Sequence, residues 1–217
     1  MKKLVIFDLD GTLLDTIEDL GDATNHALRA LGFPERRQEE YYKLVGRGIT
    51  NLFKGAVPAG CDTPETIGRM RELFLAYYGA HLCDRTHPYP GIVDLLEHIT
   101  ARGVQIAVAS NKYQEGAETV IGHFFGQFAW TAVLGQREGF PIKPDPGIVG
   151  LCMQAAGVSE DEVLYVGDSN VDMQTGLGAG VDTVGVTWGF RSLEELAAFR
   201  PTALVDTPAA LEALILQ

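Results

Sequence analysis

Short apolar runs alternate with segments of helical spacing along most of the chain, and this alternation restricts the possible folds more than any other feature. Six such runs, each bounded by turn residues, lie at 3–7, 104–110, 130–135, 162–167, 182–188 and 203–206. Strands that are apolar almost throughout and alternate with helices are typical of a parallel sheet covered on both faces. The sequence therefore predicts an α/β fold with a Rossmann-like, doubly wound parallel sheet as its core.

The alternation is interrupted once, directly after the first run. From about Asp15 to Cys83 the chain contains no convincing strand, whereas helical patterns are present, and the α/β pattern then resumes at "YPGIVDLL". We therefore predict a catalytic core formed by 1–15 and 84–217, with an inserted all-helical subdomain at 16–83.

Helical spacing predicts individual elements inside and outside this insert. Thr16 is expected to be the N-cap of an amphipathic helix that runs to Gly32, and a helix over 91–103 is expected to end at Gly103. A further helix is predicted over 64–82, and the residues on one of its sides are Met70, Leu73, Phe74 and Tyr77.

Polar residues follow several of the predicted strands at the point where each strand ends. In open parallel sheets, ligands bind outside the carboxyl ends of the strands. The polar residues at this edge are Asp8, Asp10 and Thr12, then Ser110 and Asn111, then Lys143, and finally Asp168 with Asp172 one helical turn later. Taken singly, Ser110 and Asp168 can be helix caps, and Lys143 can be a solvated loop residue. However, all of these residues are expected at the same edge of the sheet, which favours a functional site.

The stretch "FDLDGT" places two carboxylates, Asp8 and Asp10, one residue apart at the end of an apolar run. One interpretation is a strand that stops at a polar "DG" turn. The other is a site in which a cation offsets the repulsion between like charges. Mg²⁺ takes oxygen ligands and tolerates one or two carboxylates, so Asp8 and Asp168 are suitable ligands.

This combination of groups fits phosphoryl transfer. An aspartate can act as nucleophile and form an aspartyl-phosphate, which assigns that role to Asp8. Asp10 can protonate the leaving oxygen and then deprotonate the attacking water. Thr12, Ser110 and Lys143 can hold the phosphoryl oxygens, whose charge has to be stabilised during transfer.

The segments "DLDGT", "SN", "KPDP" and "GDSNVD", in this order, resemble the four motifs of the haloacid dehalogenase-like superfamily. The match runs from residue 4 to about 190, and the insert resembles the helical cap of the phosphoglycolate phosphatase-like and β-phosphoglucomutase-like branch. The resemblance implies a Mg²⁺-dependent phosphomonoesterase that acts on a small phosphorylated metabolite. Phosphoglycolate is the substrate that the family resemblance suggests.

The resemblance also implies residue roles. Asp8 would be the nucleophile and Asp10 the acid/base. Mg²⁺ would be held by the Asp8 side chain, the Asp10 backbone carbonyl and Asp168, with Asp172 in supporting contact. The phosphate-binding group would be Thr12, Ser110, Asn111 and Lys143.

Other functions remain open at this stage. Within the superfamily, dehalogenases and phosphonatases lack the second aspartate, so Asp10 disfavours both, and Thr12 slightly favours a phosphatase over a mutase. A sugar-phosphate mutase of the β-phosphoglucomutase type is the nearest alternative. A phospho-acceptor signalling module uses similar groups, but such modules are much shorter and have no helical insert, and an inactive scaffold is disfavoured because no motif residue is missing.

Inside the insert, Arg47 stands between Gly46 and Gly48, just ahead of a helical pattern. It is either a solvated loop residue or a specificity residue. Glycines allow close backbone approach to a ligand, and a guanidinium can bind a carboxylate through two hydrogen bonds. We predict that Arg47 contacts the anionic or hydroxylated leaving group of the substrate.

Charge and cysteine content restrict partners and location. The 217 residues carry a formal charge of −12, which argues against nucleic-acid or anionic-membrane surfaces as partners. No segment approaches the length needed to span a bilayer. The three cysteines are widely spaced and form no CxxC pair, which fits reduced thiols and a cytoplasmic location. The sequence does not predict an oligomeric state.

Overall fold

A six-stranded parallel sheet organises the protein, whose computed structural model describes residues 1–217. Its strands are β1 (Leu4–Phe7), β4 (Gln105–Tyr113), β5 (Trp130–Gln136), β6 (Val163–Gly167), β7 (Asp182–Val186) and β8 (Ala203–Val205). The spatial order is β5-β4-β1-β6-β7-β8, and every neighbouring pair is parallel. All six predicted strands are present, and the predicted α/β fold class is confirmed.

Ten α-helices accompany the sheet. They are α1 (Ile17–Ala30), α2 (Gln38–Leu44), α3 (Ile49–Ala56), α4 (Pro64–His81), α5 (Ile92–Ala101), α6 (Gln114–Phe125), α7 (Gly147–Ala156), α8 (Asn170–Gly178), α9 (Leu193–Ala197) and α10 (Pro208–Ile215). The first four follow one another with no strand between them, as the interrupted alternation predicts. None of the ten has the length and apolar character that a membrane crossing requires.

The two faces of the sheet are covered by different helices. In β1, Val5 and Phe7 face a cluster that includes α5, α6 and α10, whereas Leu4 and Ile6 face a second cluster that includes α7. This division follows from the period of two along a strand, and both sets are buried because both faces are covered.

The insert packs directly on the core. Buried side chains from α1 to α4 belong to the same cluster of 40 residues as Val5 and Phe7, so one apolar region runs through insert and sheet. The insert is therefore held by hydrophobic burial as well as by the chain itself. The division of the chain at 16 and 83 into core and insert stays a prediction.

Two details of the predicted helices are wrong. The buried stripe of α4 is Ile67, Met70, Phe74 and Tyr78. Leu73 and Tyr77 are only partly buried, because at about 3.6 residues per turn Tyr78 lies nearer the centre of the stripe than Tyr77.

Thr16 precedes α1 as predicted, but its hydroxyl makes no cap bond. Instead, the Ile17 amide donates to Asp15 Oδ1 at 3.3 Å, and the Thr16 hydroxyl is buried without a partner.

The chain enters and leaves the insert through two short antiparallel strands, β2 (Leu14–Asp15) and β3 (His87–Pro88). Asp15 pairs with His87 in this ribbon. Beside it, the buried Asp19 carboxylate of α1 accepts hydrogen bonds from the amide of Thr86 at 2.8 Å and from its hydroxyl at 2.7 Å. The two linkers therefore lie side by side and are fixed to the first insert helix.

Candidate active site

Asp8 is the first residue after β1, at the carboxyl end of the sheet. Its amide donates to the Val166 carbonyl at 2.8 Å and so continues the ladder between β1 and β6. Its Oδ1 atom accepts from the Leu9 amide at 2.7 Å and lies 2.8 Å from Lys143 Nζ. The strand ladder thus fixes the backbone, and two donors fix the carboxylate.

Three buried carboxylates meet beside this strand end. One oxygen from each of Asp8, Asp168 and Asp172 lies within 4.8 Å of the other two. Asp168 directly follows β6, and Asp172 belongs to the first turn of α8, whose N-cap is Ser169 rather than Asp168. The reading of Asp168 as a helix cap is therefore wrong, because the Ser169 hydroxyl satisfies the Asp172 amide.

Lys143 is the cation at the centre of this cluster. It is only 2% exposed, and its Nζ lies 2.7 Å from Asp172 Oδ1 and 3.2 Å from the Tyr165 hydroxyl, besides its contact with Asp8. The alternative of a solvated loop lysine is therefore wrong. Burial disfavours the charge of Lys143, but the carboxylates of Asp172 and Asp8 outweigh it and raise the pKa of the lysine.

One lysine does not balance three carboxylates. Burial and the charge of Asp172 raise the pKa of Asp8 well above its usual range and that of Asp168 to about 7. Burial also opposes ionisation of Asp172, but the ion pair with Lys143 and the hydrogen bonds from Lys143, Ser169 and Tyr165 hold its pKa below the usual range. Full ionisation of the cluster would leave an excess of buried negative charge, and its hard oxygen donors suit a divalent cation such as Mg²⁺.

The "DG" pair brings the backbone close to Asp168. Gly11 has φ +88°, and a Cβ at this position would collide with the Asp168 carboxylate. The next residue, Thr12, is buried and donates from its hydroxyl to Asp168 Oδ1 at 3.1 Å. Glycine is needed here for close approach as well as for the turn, so the interpretation as mere turn punctuation is wrong.

The loop after β7 supports the same carboxylate and touches the insert. The Phe190 amide donates to Asp168 Oδ2 at 2.7 Å, and Trp188 Nε1 donates to the Thr12 carbonyl at 3.0 Å. Arg191, in the same loop, donates to the Val45 carbonyl at 2.8 Å and to the Tyr42 carbonyl at the end of α2. Sequence reasoning missed this loop, because nothing in "TWGFRS" signals these contacts.

Ser110 and Asn111 lie within β4, which excludes Ser110 as a helix cap. The Ser110 side chain lines the pocket described below and accepts from the Lys112 amide at 3.2 Å. Asn111 instead connects three segments: Nδ2 donates to the carbonyls of Gly46 at 3.0 Å and Lys143 at 3.1 Å, and Oδ1 accepts from the Lys143 amide at 2.8 Å. The structure thus gives Asn111 a part in placing Lys143.

Lys112 is a functional candidate that the sequence analysis missed. It is 4% exposed, and its Nζ lies 3.0 Å from Asp10 Oδ1 and 2.7 Å from the hydroxyl of Tyr78 on α4. The available signal was its place directly after "SN", near the carboxyl end of β4. The partner on the insert could not be read from spacing, because Tyr78 is 34 residues away.

A pocket between the edge of the sheet and the insert is lined by part of this set, and Thr12, Lys143, Asp168 and Asp172 are not among its lining residues. Asp8 and Asp10 line it together with Ser110, Asn111, Lys112, Tyr113, the insert glycines Gly46 and Gly48, and apolar insert residues such as Leu20, Val45, Ile49 and Leu52. Arg47 does not line this pocket. Its side chain lines two neighbouring hollows, one with Arg191 and Asn51 and the other with Lys143.

Comparison with known proteins decides the family. The family model for haloacid dehalogenase-like hydrolases matches residues 5–186, which include every motif residue named above. The chain belongs to the haloacid dehalogenase-like hydrolases. This membership confirms the resemblance predicted from the four motifs.

Similar proteins place this hydrolase among the phosphatases of the family. It is 34% identical to a phosphoglycolate phosphatase of Pseudomonas putida, over 97% of this chain and 79% of that protein, and 31% identical to one of Vibrio parahaemolyticus, over 94% and 92%. The crystal structure of a predicted phosphoglycolate phosphatase from Haemophilus somnus superposes with a TM-score of 0.92 at 29% identity and covers 100% of this chain and 98% of that one. The predicted enzyme class, a phosphatase of the phosphoglycolate phosphatase-like branch, is confirmed.

Proposed function

We propose that this hydrolase is a Mg²⁺-dependent phosphomonoesterase that cleaves a small, phosphoglycolate-like metabolite through an aspartyl-phosphate on Asp8. The observation that carries the proposal is the position of the Asp8 carboxylate, which the Leu9 amide and Lys143 hold at a pocket shared with Asp10 while the strand ladder fixes its backbone. An aspartate so placed is a suitable nucleophile because it does not have to reorganise before it reacts.

The side chains of Asp8 and Asp168 and the backbone carbonyl of Asp10 would hold Mg²⁺, with Asp172 in support. The excess negative charge that full ionisation would leave in the buried cluster, and its oxygen donors, fit such an ion. When bound, Mg²⁺ would neutralise charge on the phosphoryl group and on the carboxylates around it. Thr12, Ser110 and Lys143 would stabilise the phosphoryl oxygens, and Asn111 would act by holding Lys143.

The reaction would proceed in two halves. An oxygen of Asp8 forms a bond to phosphorus while the ester P–O bond breaks, and Asp10 gives its proton to the departing oxygen. A water then attacks phosphorus and loses its proton to Asp10, while the bond between phosphorus and Asp8 breaks. Phosphate leaves, and both aspartates return to their starting protonation states.

The insert, residues 16–83, would act as a cap over the leaving group. Supporting this role, α1, α3 and α4 contribute Leu20, Ile49, Leu52 and Tyr78 to the wall of the pocket. The two named relatives are phosphoglycolate phosphatases, which supports a compact anionic substrate with a carboxylate. A closed cap also excludes water until the correct substrate is bound.

The test is phosphate release from a panel of phosphate esters, with isomer formation measured in the same samples. We expect release from phosphoglycolate to stop in EDTA and to return with millimolar Mg²⁺, and Asp8→Asn to be folded but inactive. When turnover of a substrate with a labelled phosphoryl group is stopped with acid, the label should be found on Asp8. Label on another residue, turnover in a thoroughly chelated sample, or conversion of a sugar phosphate to its isomer without release would overturn the proposal.

A further inference from the structure

Lys112 joins the insert to the proposed acid/base through buried contacts. The Tyr78 hydroxyl, on α4, lies 2.7 Å from Lys112 Nζ, which in turn lies 3.0 Å from Asp10 Oδ1. The ammonium also lies 4.9 Å from the centre of the Tyr78 ring. Tyr78 is fully buried and Lys112 nearly so, which means that solvent hardly screens either contact.

Lys112 is also the only cation among the residues that line the pocket. A lysine ammonium has three donors, and here one is directed to a core carboxylate and one to an insert hydroxyl. Its contact with Asp10 uses Oδ1, which leaves Oδ2 for the proton that the reaction moves. An ammonium held by two partners can fix the orientation of this carboxylate.

We propose that Lys112 and Tyr78 position the Asp10 carboxylate for proton transfer to the leaving group. The inference rests on the proposed function and assigns two residues to it. Tyr78 lies on α4, whereas Asp10 and Lys112 lie at the carboxyl edge of the sheet, so the ammonium connects a helix of the insert with the proposed acid/base. Without the Tyr78 hydroxyl, the ammonium loses one of its two hydrogen-bond partners and holds the Asp10 carboxylate less firmly.

A misplaced Asp10 should matter most where the leaving group needs a proton. The alkoxide that leaves phosphoglycolate is strongly basic and requires protonation, whereas p-nitrophenolate is a stable anion and leaves without it. A positioning defect should therefore slow the first chemical step with phosphoglycolate far more than with p-nitrophenyl phosphate. A general loss of fold would slow both.

The experiment compares Tyr78→Phe and Lys112→Met with wild-type enzyme in Mg²⁺, by rapid quench of the first turnover on both substrates. Tyr78→Phe keeps the ring that packs on Phe74 and removes only the hydroxyl. We expect kcat on phosphoglycolate to fall about 10- to 100-fold in each variant, the range that small displacements of a reacting group produce, with KM little changed. Release of p-nitrophenolate in the first turnover should change by less than about threefold.

Tyr77→Phe is the matched control. Tyr77 is the preceding residue on α4, but its ring stacks on His26 and His81 and does not touch Lys112. We expect wild-type kinetics from this variant, and Lys112→Arg should restore part of the activity that Lys112→Met loses because it returns a cation.

Three results would overturn the inference: equal losses on both substrates in variants with native circular dichroism, no loss on either, or a higher KM for phosphoglycolate alone with kcat unchanged. The last would make Lys112 a substrate-binding residue. Failure of the proposed function would give a different result. The wild-type enzyme would then release no phosphate, or the phosphoryl label would be found on a residue other than Asp8.

Discussion

Asp10 contacts Lys112, whereas Asp8 contacts Lys143 and the Leu9 amide. The proposed proton transfer by Asp10 can therefore be tested separately from the proposed attack by Asp8. Asp10→Asn keeps the shape of the side chain and the backbone carbonyl but removes the proton carrier. We expect turnover of phosphoglycolate to fall by about 10²–10⁴, the usual contribution of general acid–base catalysis. Binding of orthovanadate, measured by calorimetry in Mg²⁺, should be retained. Turnover within tenfold of wild type would assign the proton transfer to another group.

Asn111 should matter for folding as much as for chemistry. Asn111→Ala removes three hydrogen bonds and leaves the buried amide and carbonyl of Lys143 without these partners. Since each typical bond contributes about 0.5–1.5 kcal/mol, we expect the free energy of unfolding, measured in urea, to fall by about 1.5–4.5 kcal/mol. Asn51→Ala is the control, because that side chain is exposed and makes one bond, to the Arg47 carbonyl. Equal free energies of unfolding for Asn111→Ala and Asn51→Ala would show that the hydrogen bonds of Asn111 do not stabilise the fold.

Among the elements, the turn between α2 and α3 carries the remaining specificity hypothesis. Arg47 lies outside the pocket of Asp8 and Asp10 but shares a hollow with Lys143, so a carboxylate held there would lie beside the lysine that we propose to bind phosphate. We expect Arg47→Ala to raise KM for phosphoglycolate and to spare p-nitrophenyl phosphate, which has no carboxylate. Arg69→Ala on α4, where the arginine is exposed, is the control. Equal losses on both substrates, or none, would remove Arg47 from substrate recognition.

The elements themselves were largely predictable, and the reason is local. Each strand of the sheet is a short apolar run, and Asp8, Ser110 and Asp168 lie at or near the carboxyl ends of β1, β4 and β6, so they could be placed at one edge from spacing alone. Thr16 and Tyr77 were misassigned because caps and the edges of a helical stripe depend on what packs nearby. Contacts that join distant segments left no mark in local spacing, and those of Lys112 and Arg191 were therefore missed.

For the whole molecule, the proposed binding of Mg²⁺ to the acidic cluster would link metal binding to stability. A ligand that binds only the folded state stabilises it by about 2.7 kcal/mol at 100 times its dissociation constant. We expect Mg²⁺ to raise Tm by several degrees relative to EDTA at matched ionic strength, because it neutralises buried carboxylates. Asp168→Asn should abolish this shift while melting cooperatively. An equal Tm in Mg²⁺ and EDTA for the wild-type protein would argue that the cluster holds no metal.

The paired linkers β2 and β3 have a consequence for how such a protein can diversify. Because Asp15 and His87 are antiparallel partners, the chain returns from the insert to the point at which it left. A two-residue hairpin turn could join the same two positions, since antiparallel neighbours need no longer connection. The intervening segment can therefore change in length or sequence without shifting the register of any strand, provided that its replacement still covers the apolar surface that α1 to α4 bury.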